Sequence, residues 1–251
     1  MTGRTNIEWC DYSWNPVTGC SKVSEGCRNC YAEALSKRFN RSFEVTLHPD
    51  RLTATRKWKH GRIFVNSMSD LFHEKVPFEF ITEVMHEMDR NEQHTYLILT
   101  KRPGRMAEYF DEAYYDCTLP RHIWLGTSIE SRRWVTRAAE LSHAAAAAGW
   151  PHTFFSLEPL LESLAPFDWL DRTFTTGWVI AGGESGPHYR PAEIQWFREI
   201  REYCYNWSGK WSIPFFLKQI GGLRPGGPAL LDGREWRELP PVSKCFVGGS
   251  E

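Results

Sequence analysis

YLILTKRP, residues 96–103, runs four apolar side chains into a charged end, and five other stretches of the chain repeat the plan. They are IFVNSMSD from Ile63, IWLGTSIES from Ile123, TFFSLEPL from Thr153, WVIAGGESG from Trp178 and PFFLKQIGG from Pro214. Each apolar run is near-continuous rather than alternating, which suits a strand covered on both faces of a parallel sheet. Their starts are 33, 27, 30, 25 and 36 residues apart, room for a strand, a crossover helix and two loops. Helical spacing fills several of the gaps: Phe78, Ile81, Val84, Met85 and Met88; Trp134, Val135, Ala138 and Leu141; Ile194, Phe197, Ile200 and Cys204. Pro191 is expected in the first turn of the last of these, and Tyr31 to Phe39 reads as a short helix. The fold class is therefore α/β, a partial or complete (β/α) barrel occupying residues 1–222. Residues 223–251 are rich in Gly and Pro and are expected to form a hairpin at Asp232-Gly233 and a flexible tail.

Composition narrows the function classes. The 251 residues are 41% hydrophobic and 24% charged with a net charge of -1, which excludes global disorder and a protein that coats nucleic acid by bulk attraction. No apolar run approaches the roughly 18 residues that span a bilayer. MTGRTNIEWCDYS lacks a basic segment followed by an apolar core, so no secretory signal is expected and a cytoplasmic location follows.

Four of seven cysteines fall in the first thirty residues: Cys10, Cys20, Cys27 and Cys30. Cys117, Cys204 and Cys245 are scattered and read as small buried hydrophobes. In NPVTGCSKVSEGCRNCYAE, Gly19 and Gly26 each precede a cysteine and suit a loop, residues 20–30, that aims thiolates inward. Three converging thiolates, Cys20, Cys27 and Cys30, suit a [4Fe–4S] cluster with one iron lacking a protein ligand. As the alternative, they suit zinc if Cys10 or His48 supplies a fourth ligand, making the chain a zinc-stabilised binding or interaction module. Cys10 lies in the strand-like run IEWCDYSW and is expected not to bind a cluster.

In parallel α/β folds the site is built where strands deliver their C-terminal ends. Those ends carry Asn66, Ser67, Ser69 and Asp70; Thr100, Lys101 and Arg102; Thr127, Ser128 and Glu130; Ser156 and Glu158; Glu184 and Ser185; Lys218 and Gln219. Glu158, Glu184 and Lys218 are the candidate catalytic groups. His73 lies close enough to the first of these ends to face the site, and Trp9 and Trp14 flank the cysteine loop as candidate shields.

IEWCDYSWNPVTGC, the C-x6-C-x2-CYAE cluster and FVNSMSDLFHE together resemble the phage-associated three-cysteine-motif family, which is regarded as radical-SAM-like, from about Asn6 to the hairpin near Trp236. That resemblance implies a cluster loop at the N-terminus of the barrel and binding of S-adenosylmethionine (SAM) at the open iron. Reductive cleavage of SAM would then yield a 5′-deoxyadenosyl radical that acts on a substrate. It implies Ser67, Ser69 and Asp70 toward the SAM amino group and Ser128 and Glu130 toward the ribose. Gly182 and Gly183 would allow a backbone approach to adenine or substrate. An electron donor is implied as partner, together with a protein encoded nearby. The spacing differs from the usual C-x3-C-x2-C, and Asn29 stands where an aromatic is common. For the substrate, RLTATRKWKHGR, residues 51–62, carries Arg51, Arg56, Lys57, Lys59 and Arg62 without an acid, and Lys101, Arg102 and Arg105 add further charge. Both groups are expected to line one mouth of the barrel and favour a nucleic acid or nucleotide, with Trp58 stacking on a base.

Overall fold

The computed structural model describes residues 2–114, 118–170, 176–206, 212–224 and 229–240. The chain begins with β1 (Gly3–Arg4), β2 (Tyr12–Trp14), β3 (Val17–Thr18), α1 (Tyr31–Arg38) and β4 (Thr46–Leu47). It continues through β5 (Arg62–Val65), α2 (Phe78–Asp89), β6 (Thr95–Thr100), α3 (Pro103–Ala113), β7 (Ile123–Ser128) and α4 (Arg137–Ala147). Then follow β8 (Thr153–Leu157), β9 (Thr176–Gly182), α5 (Ile194–Asn206), β10 (Phe215–Gln219), β11 (Leu230–Leu231) and β12 (Arg234–Glu235). All six runs read from the sequence are strands. The main sheet has the order β1-β2-β5-β6-β7-β8-β9-β10, with β1 antiparallel at one edge and every other neighbouring pair parallel.

The sheet is curled but not closed: among the described residues no ladder joins the β1–β2 edge to β10. The curl follows from its inner face. A flat sheet would hold β5 and β9 about 19 Å apart. Yet the Trp9 ring lies 4.6 Å from that of Phe64 on β5 and 6.1 Å from that of Trp178 on β9. Phe64, Leu97, Trp124, Phe154, Trp178, Ile180 and Phe216 form this inner cluster with Trp9. Gly126 makes room for it, since a Cβ there would sit 2.4 Å from the Phe154 ring. A larger outer cluster lies under the helices, built from the alternate strand residues such as Ile63, Val65, Ile98, Leu125, Phe155 and Val179.

The hairpin at Asp232-Gly233 is present, both residues having positive φ (54° and 77°) as the turn requires. The chain after it runs antiparallel to β10: the Leu217 amide donates to Trp236 O and the Glu238 amide to Phe215 O. Arg237 then reaches Glu8 at 3.1 Å, so this segment bridges the open side.

Several expectations are corrected. Residues 103–113 add a helix that the helical spacings named above did not include, with Met106, Ala107, Tyr109 and Phe110 buried. Pro191 precedes α5 rather than opening it. Trp14 is not a shield: it is fully buried in the outer core, its indole N–H donating to Arg51 O, and Trp9 belongs to the inner cluster. Residues 51–62 do not line the mouth. Arg56 pairs with Glu87 of α2, and His94, next to the start of β6, donates to Thr55 O. Trp58 stacks on Tyr12 at 4.9 Å and is not free for a base. Cys204 is buried as expected; Cys117, Cys245 and the C-terminal tail from residue 241 lie outside the described residues. No helix among the described residues is long and apolar enough to cross a membrane.

Candidate functional site

The cysteine loop lies across the C-terminal ends of the strands, and hydrogen bonds stitch it to four of them. Gly19 starts it with φ 81° and its α-carbon against Glu44 O, where a Cβ would lie 2.1 Å from that oxygen, so only glycine fits. At the end of β5, Asn66 adopts φ 61°, a left-handed turn that asparagine tolerates, and its amide donates to Trp14 O. Ser69 Oγ donates to Val17 O. His73 is buried; its Nδ1 accepts from the Lys75 amide, which leaves Nε2 as the donor to Ser21 Oγ at 2.8 Å.

At the end of β6, Arg102 caps α3, whose Pro103 occupies the first turn. Its buried guanidinium donates to Ser21 O and Oγ, Glu74, Asp70 and, at 3.6 Å, Cys20 Sγ. Asp70 accepts from the Phe72 amide, Thr100 Oγ1, the Lys101 amide and Arg102 Nη1. Its two oxygens are thus filled by the protein, and what it orients is Arg102. Burial, reinforced by the Asp70 charge, pushes the Cys20 thiol up to about 11 against the opposing pull of Arg102.

At the end of β7, Glu130 is completely buried between Arg137 (2.6 Å) and Lys101 (3.5 Å), and accepts a hydrogen bond from Ser24 Oγ. Gly26 packs on it so closely that a Cβ would stand 2.4 Å from Glu130 Cγ. Glu25 accepts from Ser131 Oγ and from the indole of Trp134. At the end of β9, Glu184 is gripped by the Arg190 guanidinium and amide and by Asn29 Nδ2 at 3.0 Å. Burial opposes its charge, but those donors outweigh it and hold its pKa below the usual 4.5.

Beneath the loop, the upper inner face is polar. Ser128 and Ser156 are register partners above Trp124 and Phe154. Glu158 and Lys218 pair at 2.6 Å, and Lys101 Nζ donates to Glu158 O. Ser67 Oγ lies among Ser13 Oγ and Asn15 Nδ2. Tyr31 OH donates to Ser67 O. Cys10 also belongs here, close to the Phe64 backbone and Lys218, its thiol raised to about 12 by burial.

The structure thus fastens the loop that carries Cys20, Cys27 and Cys30 to Asp70 through Arg102, to Glu130 through Ser24, to Glu184 through Asn29 and to Ser67 through Tyr31, with Ser128, Glu158 and Lys218 below it. Ser69 is spent on β3. The close approach permitted by Gly183 is internal: a Cβ there would sit 1.9 Å from Ile220 O, and Gly182 lies against Glu158. Neither glycine shows the free backbone expected for an adenine contact. The three cysteines are free thiols of intermediate exposure. Among the described residues no group of three or more His, Cys, Asp or Glu side chains is arranged to hold a metal ion. Sequence reading did not single out Ser24, Glu25, Arg137 or Arg190. Glu130 lies in the loop after β7 and Arg137 opens α4, so no helical spacing announces the pair.

Comparison with known families places the chain: it belongs to the family described as protein of unknown function (DUF5131), whose model matches residues 4–240. No curated protein matches it. Among solved structures it is similar to a spore photoproduct lyase variant, with TM-score 0.47 and 14% identity over 84% of this chain and 64% of that one. It is also similar to a spore photoproduct lyase variant with bound AdoMet and dinucleoside spore photoproduct, with TM-score 0.43 and 13% identity over 80% of this chain and 64% of that one. The chain therefore spans less than two thirds of the length of these structures.

Proposed function

We propose that this member of the family is a radical-SAM-like iron–sulfur protein. In this reading Cys20, Cys27 and Cys30 hold a [4Fe–4S] cluster, and SAM binds at the polar mouth beneath it. The observation that carries the reading is where the alternative fourth ligands lie. His48 Nε2 is engaged with Thr18 Oγ1 at 2.8 Å, and Cys10 lies outside the loop with its Sγ toward Ile7 O at 3.8 Å. That leaves three thiols in one loop over a polar mouth, which suits a cluster with one open iron better than four-coordinate zinc. The residues fit the group in two further respects. Cys27 is close enough to Cys20 for its charge to be felt there, and Arg102 supplies a buried cation beside the Cys20 sulfur.

When bound, such a cluster supplies the electron that cleaves the SAM sulfonium to methionine and a 5′-deoxyadenosyl radical. The chain's own residues do the rest. Arg102, oriented by Asp70, and His73 fix the first ligand's segment; Ser24 on Glu130 and Asn29 on Glu184 fix the other two. Ser67 presents its hydroxyl to the amino group of SAM and Ser128 presents its hydroxyl to the ribose. Glu158 and Lys218 hold a carboxylate and an ammonium within the mouth and are the pair placed to move a proton on substrate. Trp9 and its aromatic neighbours keep water from the inner face below. The substrate is a nucleic acid or nucleotide, and an external donor supplies the electron.

The test is anaerobic isolation with iron and sulfide analysis. Brown protein with about four irons is expected, lost in Cys20→Ala, Cys27→Ala and Cys30→Ala and kept in Cys10→Ala. SAM should change the EPR spectrum of the reduced protein and yield 5′-deoxyadenosine. Colourless zinc protein, or full iron retention in Cys27→Ala, overturns the reading.

A further inference from the structure

We propose that the exposed face of α1 is a short track for single-stranded nucleic acid leading into the mouth. Between Lys22 and Arg41 the chain carries five cations and two acids. Both acids are occupied: Glu33 by Lys22 and Lys37, Glu25 by Ser131 and Trp134. Arg38 and Arg41 instead flank the Phe39 ring, with guanidinium carbons 5.9 and 5.7 Å from its centroid. Among the described residues neither is paired to a carboxylate, and Phe39 is 50% exposed.

Helical geometry continues this patch toward the site. Ala32 and Ser36 bury one face of α1. Tyr31, Ala34 and Arg38, at i, i+3 and i+7, share the opposite, exposed face, and the methyl of Ala34 leaves the space between the two larger side chains open. Tyr31 stands at the mouth, its hydroxyl buried on Ser67 O and the residue as a whole 49% exposed. From Tyr31 to Arg38 the helix rises about 10 Å, the reach of two nucleotides. Unpaired arginines bind phosphates and exposed rings stack on bases without sequence preference, which is the chemistry of single-strand recognition. A duplex would need a wider basic face than one short helix offers. A net charge of -1 makes any such binding local to this patch. The proposal deepens the reading of the mouth as the working site, but binding itself needs no cluster.

Fluorescence anisotropy of the full chain tests it, with labelled twelve-residue single-stranded DNA and RNA, the same DNA as duplex, and anionic phospholipid vesicles as competitor, across a salt series. Single strands should bind, with affinity falling steeply as salt rises. The double variant Arg38→Gln/Arg41→Gln should reduce the log–log salt slope by about 1–2. Phe39→Ala should weaken binding roughly tenfold with the salt slope unchanged, a signature that general charge loss does not produce. Arg56→Gln/Lys57→Gln, on the segment against α2, should bind like the parent. No detectable binding, equal loss in the Arg56→Gln/Lys57→Gln control, preference for duplex, or complete displacement by vesicles with no effect of Phe39→Ala would each overturn the proposal. Circular dichroism confirms that the exposed-site variants fold. Iron analysis of the same samples separates the two readings: binding without iron overturns the cluster assignment and leaves the track, and iron without binding does the reverse.

Discussion

Along β7, β8 and β10 the inner face begins with Trp124, Phe154 and Phe216 and ends with Ser128, Ser156 and Lys218. The same strands therefore supply an aromatic floor at one end and a polar mouth at the other. Alternation alone cannot distinguish the ends, because both sets occupy the same parity. The distinction lies in position along each strand, and it separates the residues that hold the fold together from those available for chemistry. The floor residues pack chiefly by ring and aliphatic contact. Of the mouth residues, Lys218 is held by Glu158, a partner distant in sequence that can be exchanged for a ligand without unfolding the sheet.

Breaking the floor should have the largest effect. Trp178 is fully buried and touches Trp9, Phe154 and Phe216, with its indole N–H on Glu238 O. Trp178→Ala is expected to cost about 3–5 kcal/mol in urea denaturation, while iron content per folded molecule stays unchanged. A stable variant that loses iron would erase the separation of the two ends.

At the mouth, Arg137→Met strips the buried Glu130 of its nearest cation and leaves Lys101 at 3.5 Å. A loss of about 3 kcal/mol is expected, together with a loosened cysteine loop seen as faster hydrogen exchange at residues 24–27. Glu130→Gln added to it should restore much of the stability. Unchanged exchange in the single variant would show that the loop does not depend on this anchor.

The smallest effect is in pH, and it divides the ends again. Burial lowers the pKa of His94 and His152 from 6.5, and Arg121 adds to the effect on the second. The unfolded chain therefore binds protons that the folded one refuses, so stability falls as pH drops below about 6.5, by at most about 1.4 kcal/mol per unit for each histidine. His48 and His73 act with the same sign near the loop. Glu184, lowered from 4.5, contributes stability that is present above that value and lost only as pH falls further. His94→Gln/His152→Gln should flatten the upper part of the denaturation profile and leave the part below pH 4.5 unchanged. An unchanged slope between pH 6.5 and 5 would show that neither histidine is held neutral.

The six strands were legible because each is a continuous apolar run bounded by polar residues. β2 was not read as a seventh parallel strand, since three residues are too few to establish a period. At the site, the strand ends and the three cysteines stood out by residue type. The stitches did not: Ser24 meets Glu130 across 106 residues and Asn29 meets Glu184 across 155, and single polar pairs leave no periodic trace. The basic segment misled for a related reason. Arg56 looks unpaired until α2 brings Glu87 to it.

The bridging segment after β12 bears on how the chain acquires its structure. Trp9 and Arg237 are near opposite ends of the sequence, yet the floor needs Trp9 against Trp178, and the open side needs Glu8 against Arg237. During synthesis the first of these residues leaves the ribosome long before its partners exist. Contacts of such high sequence separation slow folding, because closure entropy is lost before they form. The strands can pair in order as they emerge, but the aromatic floor is completed only once β10 has been made. A nascent chain stalled short of residue 215 would carry Trp9 and Phe64 uncovered by β10, a target for chaperones rather than a folded intermediate.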